Sequence, residues 1–221
     1  MIIESVKKIK DKRESFLVQF DNGTDITVSA AQIADFGIHT GRDLSEDEYE
    51  ELLESLSLSS SKARALRMLG SRSLSERELL RRLKSKGTSH EAAEKTVEWL
   101  EEIGMVNDTD YAASIVSYYS ARAYGKARIR NELYKRGIDR ELWDEAMRGI
   151  EENEDAADAA HEFVAKKLRG SIDKDDLLRA AEALCRRGFS FDEARSAINK
   201  YLENAEAEER RKLSEENYGD G

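Results

Sequence analysis

Nucleophiles, metal ligands and proton-transfer groups are scarce and scattered in this chain. His39, His90 and His161 stand in different segments. They share no spacing, and none has a cysteine or carboxylate at metal-ligand separation, so a zinc centre is not expected. The single cysteine, Cys185, falls on the apolar side of an expected helix and reads as a packed thiol rather than a nucleophile. No glycine-rich phosphate loop is present. Acidic pairs such as Glu101-Glu102 and Asp175-Asp176 read as solvated helix faces. No cofactor is called for, and the chain is not expected to be an enzyme.

Basic residues carry more information. On a helix from Ser75 to Lys86, Leu79, Leu80 and Leu83 form one stripe, and Arg77, Arg81 and Lys84 form a second beside it. Arg72 lies just upstream. Further on, Arg128 and Lys135 project away from an Ile129/Leu133 stripe, and Lys126 and Arg130 flank it. Taken singly these are solubilising charges. Taken together they read as a row of anchors for carboxylates or phosphates, either of which arginine binds bidentately. Tyr118, Tyr119 and Tyr124 stand close to the second basic helix. Tyr111 and Tyr119 share a stripe with Ile115 and read as core, whereas an exposed tyrosine would stack on bases or cover a partner's apolar patch. Trp99 and Trp143 read as packed between helices.

The elements that hold these side chains follow from a repeat. Leu83–Lys86–Gly87, Leu133–Arg136–Gly137 and Leu184–Arg187–Gly188 share one pattern, with their glycines 50 (137 − 87) and 51 (188 − 137) residues apart. A period of this size marks a supersecondary unit that needs its neighbours to bury its apolar face. Three sets of three helices follow: 62–70, 75–86 and 89–103; 109–123, 126–136 and 140–151; 155–168, 174–187 and 191–203. Ser75-x-x-Glu78 and Thr88-x-x-Glu91 read as capping boxes, with Asp108, Asp139, Asp173 and Ser190 as further N-caps. Upstream, Phe16, Val18 and Phe20 alternate with other residues, as do Ile26 and Val28. Asp21-Asn22-Gly23 lies between them as a hairpin turn, and Ile2–Ile9 offers a third strand. The expected architecture is mainly α: tandem three-helix repeats in an elongated, curved body, with a small N-terminal extension containing a β-hairpin. Its segments are 1–61, 62–107, 108–152, 153–204 and a flexible acidic tail, 205–221. The serine run 57–61 reads as the linker into the repeats.

Composition agrees with a thin, extended core. Of 221 residues, 37% are charged and 39% hydrophobic, and none is proline. Without proline, glycines and caps must divide the helices. The net charge of −10 is unevenly spread, since residues 62–86 hold nine Lys/Arg against two glutamates, a local +7. Such a chain does not coat nucleic acid in bulk but meets an acidic surface or phosphates at one place. A lone cysteine fits a reducing compartment. No apolar run approaches the ~20 residues that span a bilayer, and the start lacks a secretion signal. A cytoplasmic protein is expected.

The residues also carry a family resemblance. Ala65-Leu66-x-x-Leu69-x-x-Arg72-x-x-Ser75-x-x-Glu78-Leu79-x-x-x-Leu83-x-x-Lys86-Gly87 resembles the first repeat of the RecX family. The likeness continues through Val106-Asn107-Asp108 and Tyr111-Ala112. It is most specific at Gly125-x-x-x-Ile129-x-x-Glu132-Leu133-x-x-Arg136-Gly137-Ile138. It covers 62–150 well and the third repeat less closely. Lys126 departs from the family, where proline often follows the glycine.

The resemblance implies a non-enzymatic regulator that lies along the groove of the RecA–DNA filament. There it would hinder strand exchange and ATP turnover, stop filament extension and promote disassembly. The implied partner is the RecA recombinase filament, with weak single- or double-stranded DNA contact beside it, and the protein is expected to be a monomer without membrane attachment. Two other readings stand next to this one. The first is a helical-repeat DNA-binding protein acting independently of a recombinase, since 75–103 can pass for a helix-turn-helix. The second is a scaffold whose basic row meets another acidic protein.

Overall fold

A computed structural model describes residues 1–10, 14–151 and 155–218; the side chains of 149–151, 155–157, 213 and 215–218 are not described. The chain is mainly helical behind a small antiparallel sheet, as the sequence led us to expect. Strands β1 (Ile3–Lys8), β2 (Ser15–Phe20) and β3 (Asp25–Ser29) pair in the order β1-β2-β3. Val6, Val18 and Ile26 lie in register across the sheet. Helices α1 (Ala30–Asp35), α2 (Glu46–Leu69), α3 (Glu76–Ser85), α4 (His90–Glu102) and α5 (Asp108–Ser120) follow. Then come α6 (Lys126–Lys135), a 3-10 turn at Arg140–Leu142, α7 (Trp143–Glu151), α8 (Asp155–Leu168), α9 (Lys174–Arg186) and α10 (Phe191–Tyr218).

The chain forms two compact units. One comprises Met1–Ser73 with Leu79–Met105, and the other Leu74–Glu78 with the chain from Val106 onward. In the first, alternation along the strands sends Ile3, Val18, Phe20 and Val28 into a core closed by Ile38, Leu44 and Leu52. Its helical part buries Ala65 of α2, Leu79 and Leu83 of α3, and Val97 and Leu100 of α4. In the second unit each triplet has its own core. Ile115, Val116, Ile129, Leu133 and Met147 meet between α5, α6 and α7. Val164, Leu168, Ala180, Leu184 and Ile198 meet between α8, α9 and α10.

Four expectations are corrected. The serine run 57–61 is not a linker, because α2 continues through it. Hydroxyls in it find partners: Ser61 is buried and accepts from Thr96 Oγ1 at 2.7 Å, and Ser59 accepts from Gln32 Nε2 at 3.4 Å, as Ser55 just upstream does at 3.1 Å. With no glycine or proline to stop it, the helix persists. The segment after 205 is likewise helical to Tyr218, supported by alanines and an Arg210–Glu206 pair at 3.3 Å; the expected tail's last residues, 219–221, lie outside the described residues. Ser89, not Thr88, caps α4, and Asn107, not Asp108, caps α5. Cys185 is exposed. The buried stripe of α9 runs through Ala180 and Leu184, and the next residue points about 100° away from it.

Candidate binding face and repeat junctions

Helix α3 forms because Ser75 caps it, its hydroxyl accepting from the Glu78 N–H at 3.1 Å, and because Leu79 and Leu83 are fully buried. Gly87 ends it with φ +81°. Arg77, in the second unit, and Arg81 and Lys84, in the first, are all exposed. Among the described residues, none of the three side chains has a hydrogen bond or ion pair. The same holds for exposed Arg130 on α6. Exposed Arg72 and half-buried Lys126 each have a partner.

Arg128 and Lys135 are held differently. Glu132, only 7% exposed, receives Arg128 Nη2 at 3.1 Å, Lys135 Nζ at 3.3 Å and the Tyr119 hydroxyl at 3.1 Å, with Arg136 Nη2 at 4.0 Å. Burial works to raise the Glu132 carboxyl, but hydrogen bonds from Lys135 and Tyr119 and the charges of Lys135 and Arg128 outweigh it, so its pKa is lowered. Glu132 is thus an anionic hub that orders one flank of the basic helix. The sequence pattern contained it, but its charge gave no hint that it would be the buried partner.

The basic row is not repeated from triplet to triplet. Counted back from the glycines, Arg77, Arg81 and Lys84 correspond to Ala127, Asn131 and Tyr134, and then to Leu178, Glu182 and Cys185. The outward positions of the middle helices therefore change from cationic to neutral to mixed apolar and acidic. Grouping by charge alone concealed this shift of register.

The basic residue before each glycine has a structural role at two of the three places. The start of α6 sits on the end of α9: the Gly125 N–H donates to the Arg187 carbonyl at 3.0 Å, and the Ala127 N–H to the Gly188 carbonyl at 3.2 Å. Arg187 Nη1 reaches back to the carbonyls of Arg122 (2.7 Å) and Ala123 (3.4 Å), at the end of α5. Its guanidinium also lies 4.3 Å from the Phe163 ring centre and 4.9 Å from that of Tyr124. In the same manner the first turn of α3 sits on the end of α6. There the Ser75 hydroxyl donates to the Arg136 carbonyl, and the Glu76 N–H donates to Asp108 Oδ1 at 3.0 Å. Arg136 Nη1 donates to the Tyr111 hydroxyl at 3.0 Å. At the first junction orphan N–H groups of one helix start meet orphan carbonyls of another helix end; at the second a hydroxyl and a carboxylate take up one orphan group each.

The histidines stay apart, each beside a local partner: Thr40 for His39, Glu94 at 3.1 Å for His90, and Asn204 at 3.1 Å for His161. Tyr111, Tyr119 and Trp143 pack against the second triplet's core, while Tyr118 is 53% exposed.

Triplets of helices, two of them with cores of their own in the second unit, define a helical-repeat protein. Comparison with known proteins gives the family. The first three-helix domain of RecX matches residues 62–100, and the second matches 107–147. The chain is 27% identical over 199 residues to the regulatory protein RecX of Caldanaerobacter subterraneus subsp. tengcongensis, covering 90% of this chain and 99% of that one. It is 33% identical over 143 residues to the same-named protein of Xanthomonas axonopodis pv. citri, covering 64% and 87%. A crystal structure of regulatory protein RecX superposes with a TM-score of 0.69 at 20% identity, over 90% of this chain and 98% of that one, a likeness of fold. The chain belongs to the RecX family.

Proposed function

We propose that this protein regulates the RecA recombinase without itself being an enzyme. In this reading it binds along the groove of the RecA–DNA filament as a monomer in the cytoplasm, blocks extension and promotes disassembly. The triplets at 62–107, 108–152 and 153–204 are its binding modules. Family membership is the observation that carries the reading. The exposed cations Arg77, Arg81, Lys84 and Arg130, with no hydrogen bond or ion pair among the described residues, support an acidic or phosphate-bearing counterpart. Successive modules on successive protomers would add avidity through high effective concentration.

The test is DNA-dependent ATP hydrolysis by RecA on single-stranded DNA. The protein should slow it at micromolar concentrations. A variant with Arg77→Glu, Arg81→Glu and Lys84→Glu should lose most of that effect while keeping its circular dichroism. Unchanged hydrolysis with the parent protein would sink the reading.

A further inference from the structure

From Tyr111 to Asn131 the chain has no Asp or Glu, although 46 of its 221 residues are acidic, and it has four Lys/Arg and four of the eight tyrosines. The structure folds this stretch into α5, the turn to α6 and the start of α6, all within the second unit. Three of the tyrosines form an edge-to-face chain: Tyr118 to Tyr119 at 5.2 Å and Tyr119 to Tyr124 at 5.3 Å between ring centres. Tyr119 is anchored through its hydroxyl to Glu132, and Tyr124 lies under Arg187. Tyr118 is left at the outer end. Its guanidinium neighbour, Arg122, stands 3.6 Å from the ring centre and is held there by a 3.0 Å hydrogen bond to the Tyr118 carbonyl.

We infer that Tyr118 and Arg122 form a stacking site for one base of a single-stranded nucleic acid. An aromatic ring already backed by a guanidinium is a sequence-tolerant platform for a base. More than half of Tyr118 stays open to solvent with Arg122 in place. Its hydroxyl has no hydrogen bond among the described residues, and Arg122 has no acidic partner there, so neither group is committed to holding the fold. The exposed positions three or four residues from the ring or beside it, Ser114 and Ser117 on α5 and Ala121 at its C-cap, are small and uncharged. A phosphodiester backbone approaching here meets Arg122 and no carboxylate within the stretch. A protein partner would meet the same ring, but the exclusion of acids over this length favours a polyanion with flat, stackable units. The other tyrosines of the chain segment are packed, so the contact is to a single base. This goes beyond filament regulation and needs no recombinase.

The experiment measures anisotropy of a fluorescein-labelled oligothymidylate of about 16 nucleotides with the full chain at low salt, no RecA present. Tyr118→Ala should weaken binding roughly 5- to 150-fold, the range that one stacked base accounts for. Tyr118→Phe should bind as the parent does. An abasic oligonucleotide of equal length should bind the parent as weakly as the normal one binds Tyr118→Ala. Arg122→Gln should lower the salt slope by about 0.7 for one lost phosphate contact. Equal binding by Tyr118→Ala, equal binding of the abasic strand, or no oligonucleotide binding by the parent overturns the site. Loss of RecA inhibition in Tyr118→Ala with unchanged oligonucleotide affinity also overturns it, and assigns the ring to a protein contact. Loss of RecA regulation in the parent, with stacking intact, would instead count against the proposed function alone.

Discussion

The two junctions of the second unit are the same device made with different atoms. At Gly125–Gly188 backbone meets backbone. A Cβ on Gly125 would lie 2.2 Å from the Gly188 carbonyl oxygen, and one on Gly188 would lie 2.4 Å from the Arg128 nitrogen. At Ser75–Gly137 side chains intervene: the Ser75 hydroxyl reaches the Arg136 carbonyl, and a Cβ on Gly137 would meet the flexible Arg77 side chain at 3.2 Å. Gly87, the third member of the series, has nothing within 4 Å of that point. The glycines are equivalent in sequence and unequal in what they bear. All three need the left-handed backbone, with φ of +81°, +75° and +91° along the chain. Only Gly188 also has a packed backbone against it.

Alanine substitution should break this comparison most sharply. Gly188→Ala combines backbone strain with a clash that only movement of α6 can relieve. It should lower the unfolding free energy by about 3–5 kcal/mol. Gly125→Ala, with an ordinary φ of −78°, suffers the clash alone and should cost about 2–3 kcal/mol. Gly87→Ala should cost about 1–2 kcal/mol, the strain alone. Urea unfolding checks these values. Trp143 emission in a Trp99→Phe background reports on the second unit, and Trp99 emission in a Trp143→Phe background on the first, which holds Gly87. If Gly188→Ala proves no worse than Gly87→Ala, the close approach is wrong.

Arg187 sharpens the comparison from the other side, since the backbone junction also has a side-chain clamp. Arg187→Ala removes charged hydrogen bonds to two carbonyls at the end of α5 and the contact with the Phe163 and Tyr124 rings. The expected loss is about 2 kcal/mol, with Arg187→Lys recovering part of it. A loss below ~0.5 kcal/mol in the same urea titration would reduce Arg187 to a surface charge.

The glycine series, most caps and the hairpin were legible because each is a local signal. Turn chemistry, a left-handed helix end and alternating apolar residues are written within a few positions of where they act. The pairing of Gly125 with Gly188 was not, because two glycines without side chains carry no mark of what approaches them from 63 positions away (188 − 125). The serine run misled for a related reason. Ser57–Ser61 has a loop composition, and the long-range bonds from Thr96 to Ser61 and from Gln32 to Ser59 are not written in it. On the candidate face the cations could be read, but not their bookkeeping. Whether Arg128 is free or bound to Glu132 depends on which carboxylate is buried, and that depends on Tyr119 and α5.

Ser75 tests the side-chain junction directly. Ser75→Ala removes the cap on the Glu78 N–H and the bond to the Arg136 carbonyl, at a fully buried position. A loss of about 1–2 kcal/mol is expected by the same urea measurement. A neutral result would mean that apolar packing, not the hydroxyl, holds this junction.

The smallest effect separates the junctions by pH. Burial pushes the Asp108 carboxyl up, against the opposing pull of the Glu76 N–H; the charges of Glu76 and Asp139 add to the rise, and Arg77 opposes it. A carboxyl whose folded pKa lies above its unfolded value makes the folded state the better proton acceptor. Its contribution is most favourable below the unfolded value, and stability is lost as pH rises through the folded pKa. Asp108→Asn keeps an oxygen for the Glu76 N–H but cannot ionise. Its unfolding free energy relative to the parent should therefore move in the variant's favour as pH rises through the carboxylate range, and level off above it. Gly125→Ala, at the junction made of backbone alone, should differ from the parent by a constant amount over the same range. A gap for Asp108→Asn that moves the other way would show Asp108 stabilised as an anion by the start of α5. The Ser75 junction would then weaken as pH falls instead of as it rises, while the backbone junction would still show no response.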